Sequence, residues 1–253
     1  MPEGDTIHRA ANRLRPALVG RCLVRFEAPR AKGTRPRPGA TIDAVDAVGK
    51  HLVIRFSGGI TLRTHMRMTG SWHLYRSGET WKKPAYLARA VVEVEGWTAV
   101  CFAAPVVELE TAPTSAINLS LGPDLTSPDV TDADIDVAVE RMTDDEIAVV
   151  LLDQRVAAGI GNVYKSEVLF ICGVDPFKRA TEIDTAKKRE LIATASKLLR
   201  ANVVSSGPRR TTNVGLAVYG RARRPCHRCG TLIRSQRQGE QARTTYWCPA
   251  CQT

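Results

Sequence analysis

The chain has 253 residues, of which 43% are hydrophobic and 25% charged, and carries a formal net charge of +10. That length and balance support one large domain or two smaller ones with real cores and exclude wholesale disorder. No apolar run approaches the length of a membrane span and no charged-then-apolar leader precedes Asp5, so the expectation is a cytoplasmic protein that does not enter a membrane.

The chain opens Met1-Pro2-Glu3-Gly4-Asp5-Thr6. Initiator methionine is normally removed before a residue as small as proline, which would leave Pro2 with a free secondary amine. Such an amine attacks an aldehyde-like carbon to form an iminium ion, and the adjacent Glu3 suits general acid-base work. Taken singly, neither is distinguishable from an ordinary terminal residue. Asp5 or Thr6 is expected to cap a first helix reaching about Leu18, with Ile7, Ala10, Ala11, Leu14 and Leu18 on one face. Pro16 argues for a kink or an early end.

Short β-like stretches follow at Cys22–Ala28, Thr41–Val48, His51–Phe56, Ile60–His65, Ser71–Tyr75, Leu87–Val94 and Thr98–Phe102, with a Pro/Gly-rich basic loop over Arg30–Gly39. The clearest hairpin joins His51–Phe56 to Ile60–His65 through Ser57-Gly58-Gly59. Repeated strands with such turns predict a β-sandwich.

The texture then changes. Pro123–Asp136 is acidic and turn-rich and reads as a linker into a helical region. Helices are expected at about Asp144–Arg155, Asn162–Cys172 and Thr185–Val203, followed by a short segment, Val204–Gly215, and a strand at Leu216–Tyr219. Val156–Asn162 is a glycine-bearing turn that delivers Asn162 to the start of a helix, where exposed amides can bind phosphate; the two glycines serve equally well as packing devices.

Charge is segregated along the chain. Val203–Thr253 holds nine arginines and one acid, whereas Asp124–Glu146 holds nine acids and one arginine. A concentrated basic segment reads as a polyanion-binding surface, most often one for nucleic acid. The same segment contains Cys226-x2-Cys229 and Cys248-x2-Cys251, a spacing that brings four thiolates into a tetrahedron around one structural Zn2+ with the intervening residues as a hairpin. His227 lies inside the first knuckle, but four thiolates already close the shell. Cys22, Cys101 and Cys172 read as small core residues.

Several separated motifs together resemble one family. Pro2–Thr6, Val48-Gly49-Lys50-His51-Leu52, the run Leu151–Gln154 through Gly159–Glu167, Val218–Arg221 and the four-cysteine finger look like the formamidopyrimidine-DNA glycosylase and endonuclease VIII family. The Pro-Glu-Gly-Asp-Thr opening is similar to the endonuclease VIII branch. The resemblance implies an α+β fold: an N-terminal β-sandwich with a leading helix over 1–122, a linker over 123–136, a helix-two-turn-helix domain over 137–220 and a zinc finger over 221–253. It implies a monomer, nucleoid-associated, that holds damaged double-stranded DNA in a cleft.

The implied chemistry is base excision followed by strand cleavage. Pro2, Glu3 and Lys50 are the implied catalytic residues, with Lys50 near the sugar and its phosphate. His65, Asn162 and Arg243 are implied to hold the phosphates flanking the lesion, Met68 to wedge into the stack, and Arg67 to address the orphaned base or a phosphate. Glu167 resembles a second acid of the site. An α-amine with a pKa near 7.8 is roughly a quarter neutral at about pH 7.4, against about 0.1% for an unperturbed lysine. Three readings stay open at this point: action on oxidised pyrimidines, the same chemistry on oxidised purines, and a catalytically silent binder of damaged DNA. The shortness of Val204–Gly215 favours the first.

Overall fold

The computed structural model describes residues 2–111, 120–204 and 215–253. The chain divides into two compact units, Met1–Leu119 and Ser120–Thr253.

The first unit begins with helix α1 (Gly4–Leu18). Ile7, Ala11, Leu14 and Leu18 recur every three or four residues, so they share one face, and each is at most 1% exposed. Each buried aliphatic side chain contributes roughly 1.5–3 kcal/mol, enough to offset an internal proline. The helix therefore runs through Pro16 and ends at Leu18, contrary to the expected kink or early stop: the missing N–H falls in the last turn, and Val19 N still donates to Arg15 O at 3.0 Å. Its N-cap is Glu3, not Asp5 or Thr6; the Glu3 carbonyl accepts from Thr6 N at 2.9 Å and Ile7 N at 3.2 Å.

Among the described residues eight strands follow: β1 (Leu23–Glu27), β2 (Ile42–Val48), β3 (His51–Phe56), β4 (Ile60–His65), β5 (Ser71–Arg76), β6 (Ala88–Val94), β7 (Trp97–Phe102) and β8 (Val106–Glu110). They form two antiparallel four-stranded sheets, ordered β1-β6-β7-β5 and β2-β3-β4-β8. Strand β8 was not expected from sequence, because no turn glycine sets it off from β7. Ile42, Val45, Leu52, Ile54 and Leu62 from one sheet meet Leu23, Ala90, Val92, Val94 and Ala99 from the other, with α1 packed into the same core. The other face of β6 and β7 is covered as well: Val91, Val100 and Phe102 pack with Tyr75 and Trp81 in a satellite cluster. Cys101 is buried, and burial pushes its thiol up to about 12, as befits an inert core residue; Cys172 is also buried, whereas Cys22 is exposed, contrary to expectation.

The second unit is mainly helical: α2 (Asp132–Glu140), α3 (Ile147–Val150), α4 (Asn162–Ile171) and α5 (Thr185–Val204). The acidic stretch 123–136 packs into this unit. Leu125 is fully buried, its carbonyl accepts from Ser196 Oγ at 3.0 Å, and Thr131 starts α2 with a reciprocal capping box to Asp134. The helix expected over Asp144–Arg155 shrinks to the four residues of α3. Beyond it, side chains compete for the backbone: Asp153 accepts from Arg155 N at 2.9 Å, and Gln154 Nε2 donates to Leu152 O and Ile160 O while its Oε1 accepts from Gly159 N. The expected strand at Leu216–Tyr219 is also absent, since its amides are claimed by Glu167. The unit closes with an antiparallel hairpin, β9 (Arg234–Gln238) and β10 (Arg243–Trp247). No helix among the described residues is long and apolar enough to cross a membrane.

Candidate active site and nucleic-acid contacts

In the first unit, the path of α1 carries the N-terminus toward one end of the sandwich. Gly20 N donates to Ile42 O at 2.9 Å and Arg15 Nε to Val45 O at 3.0 Å, so the helix runs antiparallel to β2. From Arg15 back to Glu3 is about 18 Å of helix, and from Val45 on to Lys50 about 17 Å of strand. Pro2, Glu3 and Lys50 therefore lie at the same end. Pro2 is half-buried and Glu3 fully buried, directly before the positive end of the helix dipole.

Lys50 sits in a two-residue hairpin loop, because Val48 pairs with His51 on either side of Gly49-Lys50. Gly49 has φ +55°, a left-handed conformation that a side chain would resist at the first loop position. The tight loop thrusts the lysine forward beside His65, which pairs with His51 on the neighbouring strand. Burial, then the positive charges of Lys50 and Arg67, hold the His65 imidazole below its ordinary pKa. Its Nδ1 accepts from Arg67 N at 3.1 Å.

The segment after β4 separates two methionines. Met66 is 2% exposed and joins the core, whereas Met68 is 65% exposed. Arg67 between them has φ +43°, and Gly70 N closes the turn on Met66 O at 2.8 Å. A Cβ on Gly70 would lie 2.7 Å from the Met66 backbone, so only glycine fits there. Thr69 Oγ1 ties the loop to Ala103 O at 2.9 Å. Met68 is thus presented to solvent on a braced turn, as an intercalating wedge needs and a core residue would not be.

In the second unit, Asn162 and Arg243 are joined through the backbone. Gly161 caps α4, and Asn162, 6% exposed, donates from Nδ2 to Thr244 O at 2.8 Å; its buried Oδ1 has no hydrogen-bond partner among the described residues. One turn on, the buried Lys165 Nζ donates to Thr245 Oγ1 at 2.7 Å, which donates to Gln238 Oε1 at 2.6 Å. Gln238, directly across the hairpin from Arg243, donates to Glu146 Oε2 at 2.7 Å and Pro176 O at 3.0 Å. Both strands beside the exposed Arg243 are thereby clamped to the helices. Sequence reading missed Lys165, Thr245 and Gln238; the available signal was a Lys165-Ser166-Glu167 run set between the apolar residues of α4.

Glu167 is fully buried and accepts from the backbone N–H groups of Ala217, Val218 and Tyr219 at 2.7–2.9 Å. This carboxylate organises the 217–219 loop rather than standing open as a second acid. Residues 205–214, the segment on which the substrate expectation turns, lie outside the described residues.

The sulfurs of Cys226, Cys229, Cys248 and Cys251 lie within 4.8 Å of one another, and they are the metal-type cluster among the described residues. His227 is exposed and stands outside it. Four ionised thiols this close repel one another strongly unless a cation sits between them, so the donor set fits a tetrahedral zinc with no open position. The finger is seated by Phe170 against Cys226 and Cys248, and by Gln252, which donates to Val174 O at 3.0 Å and accepts from Cys248 N at 2.9 Å.

The comparisons with known proteins agree with this geometry. Residues 1–105 match the formamidopyrimidine-DNA glycosylase N-terminal domain, and residues 121–212 match the H2TH domain of the same enzymes. The chain belongs to the formamidopyrimidine-DNA glycosylase and endonuclease VIII family. Within the family it falls in the endonuclease VIII branch: it is 44% identical to a probable endonuclease 8 2 of Streptomyces coelicolor, over 100% of this chain and 94% of that protein. It is also 39% identical to the DNA-(apurinic or apyrimidinic site) lyase Nei2 of Mycolicibacterium smegmatis, over 100% and 99%. Among solved structures, the Lactococcus lactis formamidopyrimidine-DNA glycosylase bound to abasic-site DNA shares the fold, with TM-score 0.83, 22% identity and 99% coverage of each chain.

Proposed function

We propose that the chain is a bifunctional DNA glycosylase and abasic-site lyase that excises oxidised bases, mainly pyrimidines, through its N-terminal proline. The observation that carries this reading is the buried Glu3 beside Pro2 at the head of α1, at the same end of the sandwich as Lys50, His65 and Met68. The Pro2 amine attacks C1′ of deoxyribose and the bond to the damaged base breaks, the base leaving with a proton. The C1′–O4′ bond then opens with O4′ taking a proton, and the iminium so formed acidifies C2′–H. Loss of that proton expels the 3′ phosphate, and a second elimination expels the 5′ phosphate. Glu3 moves protons at the ring oxygen and C2′, and Lys50 offsets developing negative charge.

The remaining residues hold the DNA. His65, Asn162 and Arg243 take flanking phosphates, Met68 fills the gap left by the flipped base, and Arg67 faces the orphaned partner or a phosphate. One structural Zn2+ on the four cysteines aims the hairpin that carries Arg243. No catalytic water is activated there, because all four positions are thiolate. The protein acts as a monomer on damaged duplex DNA. Arg243→Ala is expected to weaken binding across all sequences and to flatten the salt dependence by about one unit of slope. An unchanged slope in a titration from low to moderate salt would remove Arg243 from the phosphate contacts.

Substrate choice rests on the short segment between α5 and Gly215. With little chain to fold over a flipped base, discrimination falls to ease of extrusion, which favours oxidised pyrimidines whose damaged rings stack poorly. Single-turnover assays should show thymine glycol, 5-hydroxycytosine and ring-opened purines leaving faster than 8-oxoguanine opposite cytosine. If 8-oxoguanine is fastest, the oxidised-purine reading replaces this one.

A further inference from the structure

The outer face of the sheet β2-β3-β4-β8 carries a row of polar side chains that the chemistry above does not use. Arg63 on β4 stands opposite Glu108 on β8, and His51 on β3 stands opposite His65 on β4. Arg63 Nε donates to Glu110 Oε1 at 3.0 Å, its Nη2 to the Glu108 carboxylate, and its Nη1 faces His51 Nδ1 at 3.5 Å. His51 then packs against His65 with the rings edge to face, centroids 4.7 Å apart and planes at 79°. The row ends where Lys50 and Arg67 gather positive charge around His65.

The proton on His65 follows from its partner. A neutral imidazole has one N–H, and Nδ1 is already accepting from Arg67 N, so the proton is on Nε2 and points away from that backbone. Rotation about the soft terminal torsion would exchange the two edges, and the torsion alone offers little resistance. The Arg67 N–H holds one edge of the ring, and His51 is an aromatic partner packed against it. The two rings are not both charged, since two imidazolium ions this close repel. Burial, then His65 and Arg63, push His51 down to about 4; burial, then Lys50 and Arg67, lower His65.

We propose that His51 is a positioning residue that holds the His65 ring so that Nε2–H faces a phosphate of the bound strand, with Arg63, Glu108 and Glu110 fixing His51 in turn. The proposal rests on the reading of His65 as a phosphate contact. It can be separated from that reading with His51→Ala, His51→Phe, His65→Ala and the double variant His51→Ala/His65→Ala, each measured for DNA affinity and single-turnover cleavage of an abasic-site duplex.

His65→Ala should weaken binding about tenfold, the worth of one charge-assisted hydrogen bond. His51→Ala should raise Kd about fivefold with the single-turnover rate at saturating protein within about twofold, in line with loss of one aromatic pair. His51→Phe, which keeps an aromatic edge against His65, should return to within about twofold of the parent. In the His65→Ala background, His51→Ala should add nothing. An unaltered Kd in His51→Ala, a Phe variant as weak as the Ala variant, or an equal loss in the His65→Ala background would overturn the positioning role. Unchanged binding by His65→Ala would instead defeat the phosphate reading of His65, and the role of His51 with it.

Discussion

Glu3→Gln is expected to lose base excision by roughly 100-fold or more while DNA affinity stays within a few fold, the usual scale of a general acid or base. The substitution changes little else. Glutamine matches glutamate in shape, so the fully buried site keeps its packing, and the N-cap of α1 is made by the backbone carbonyl of residue 3, which every residue supplies. The groups proposed to hold phosphate stand elsewhere, at the end of β4, the start of α4 and the finger hairpin. What is lost is a group able to give and take a proton beside the amine. Single-turnover excision and binding should be compared at one salt concentration, because phosphate contacts make affinity steeply salt-dependent. Equal losses in binding and excision would assign Glu3 a folding or docking role instead.

The second large effect concerns the first residue. With Met1 attached, the Pro2 nitrogen is a tertiary amide without a nucleophilic lone pair, and with Met1 removed it is a secondary amine. The two forms share every other side chain. Protein verified by mass to retain Met1 should bind abasic DNA as well as the processed form does, yet yield almost no adduct on borohydride reduction, and Pro2→Gly should also yield little. Processed protein should be trapped readily. Its advantage over a lysine nucleophile is the uncharged fraction: an α-amine loses its proton near neutrality, about 2.6 pH units below an unperturbed lysine. Proline is more basic than a generic α-amine, so that advantage depends on the site holding the amine uncharged.

Much of the first unit was legible because its strands alternate and its turns carry glycine. His51–Phe56 and Ile60–His65 fall where the sequence pattern places them, since Gly58 and Gly59 mark the reversal between them. The finger was legible because two Cys-x2-Cys pairs about 18 residues apart match the ligand spacing of a structural zinc site. What could not be read depends on long-range competition for backbone groups. Nothing near Leu216 in sequence announces that Glu167, some fifty residues earlier, takes three consecutive amides there and leaves none for a strand. Nor does a local pattern reveal that Asp153 and Gln154 end α3 after one turn. Individual residues behave likewise. Met66 and Met68 are equivalent by composition, and only the left-handed turn at Arg67 with the close approach at Gly70 sends one inward and the other out. Sequence alone assigns His51 no role, because its relation to His65 is a matter of cross-strand register.

The most direct test of the catalytic assignment is to locate the covalent bond. Processed protein is incubated with abasic-site DNA and borohydride, the reduced adduct is digested, and the peptide bearing the sugar remnant is sequenced by mass spectrometry. The mechanism predicts a remnant on the nitrogen of Pro2, at the very start of the N-terminal peptide, with Lys50 unmodified. A remnant on Lys50, or on any other lysine, with Pro2 left free would contradict it.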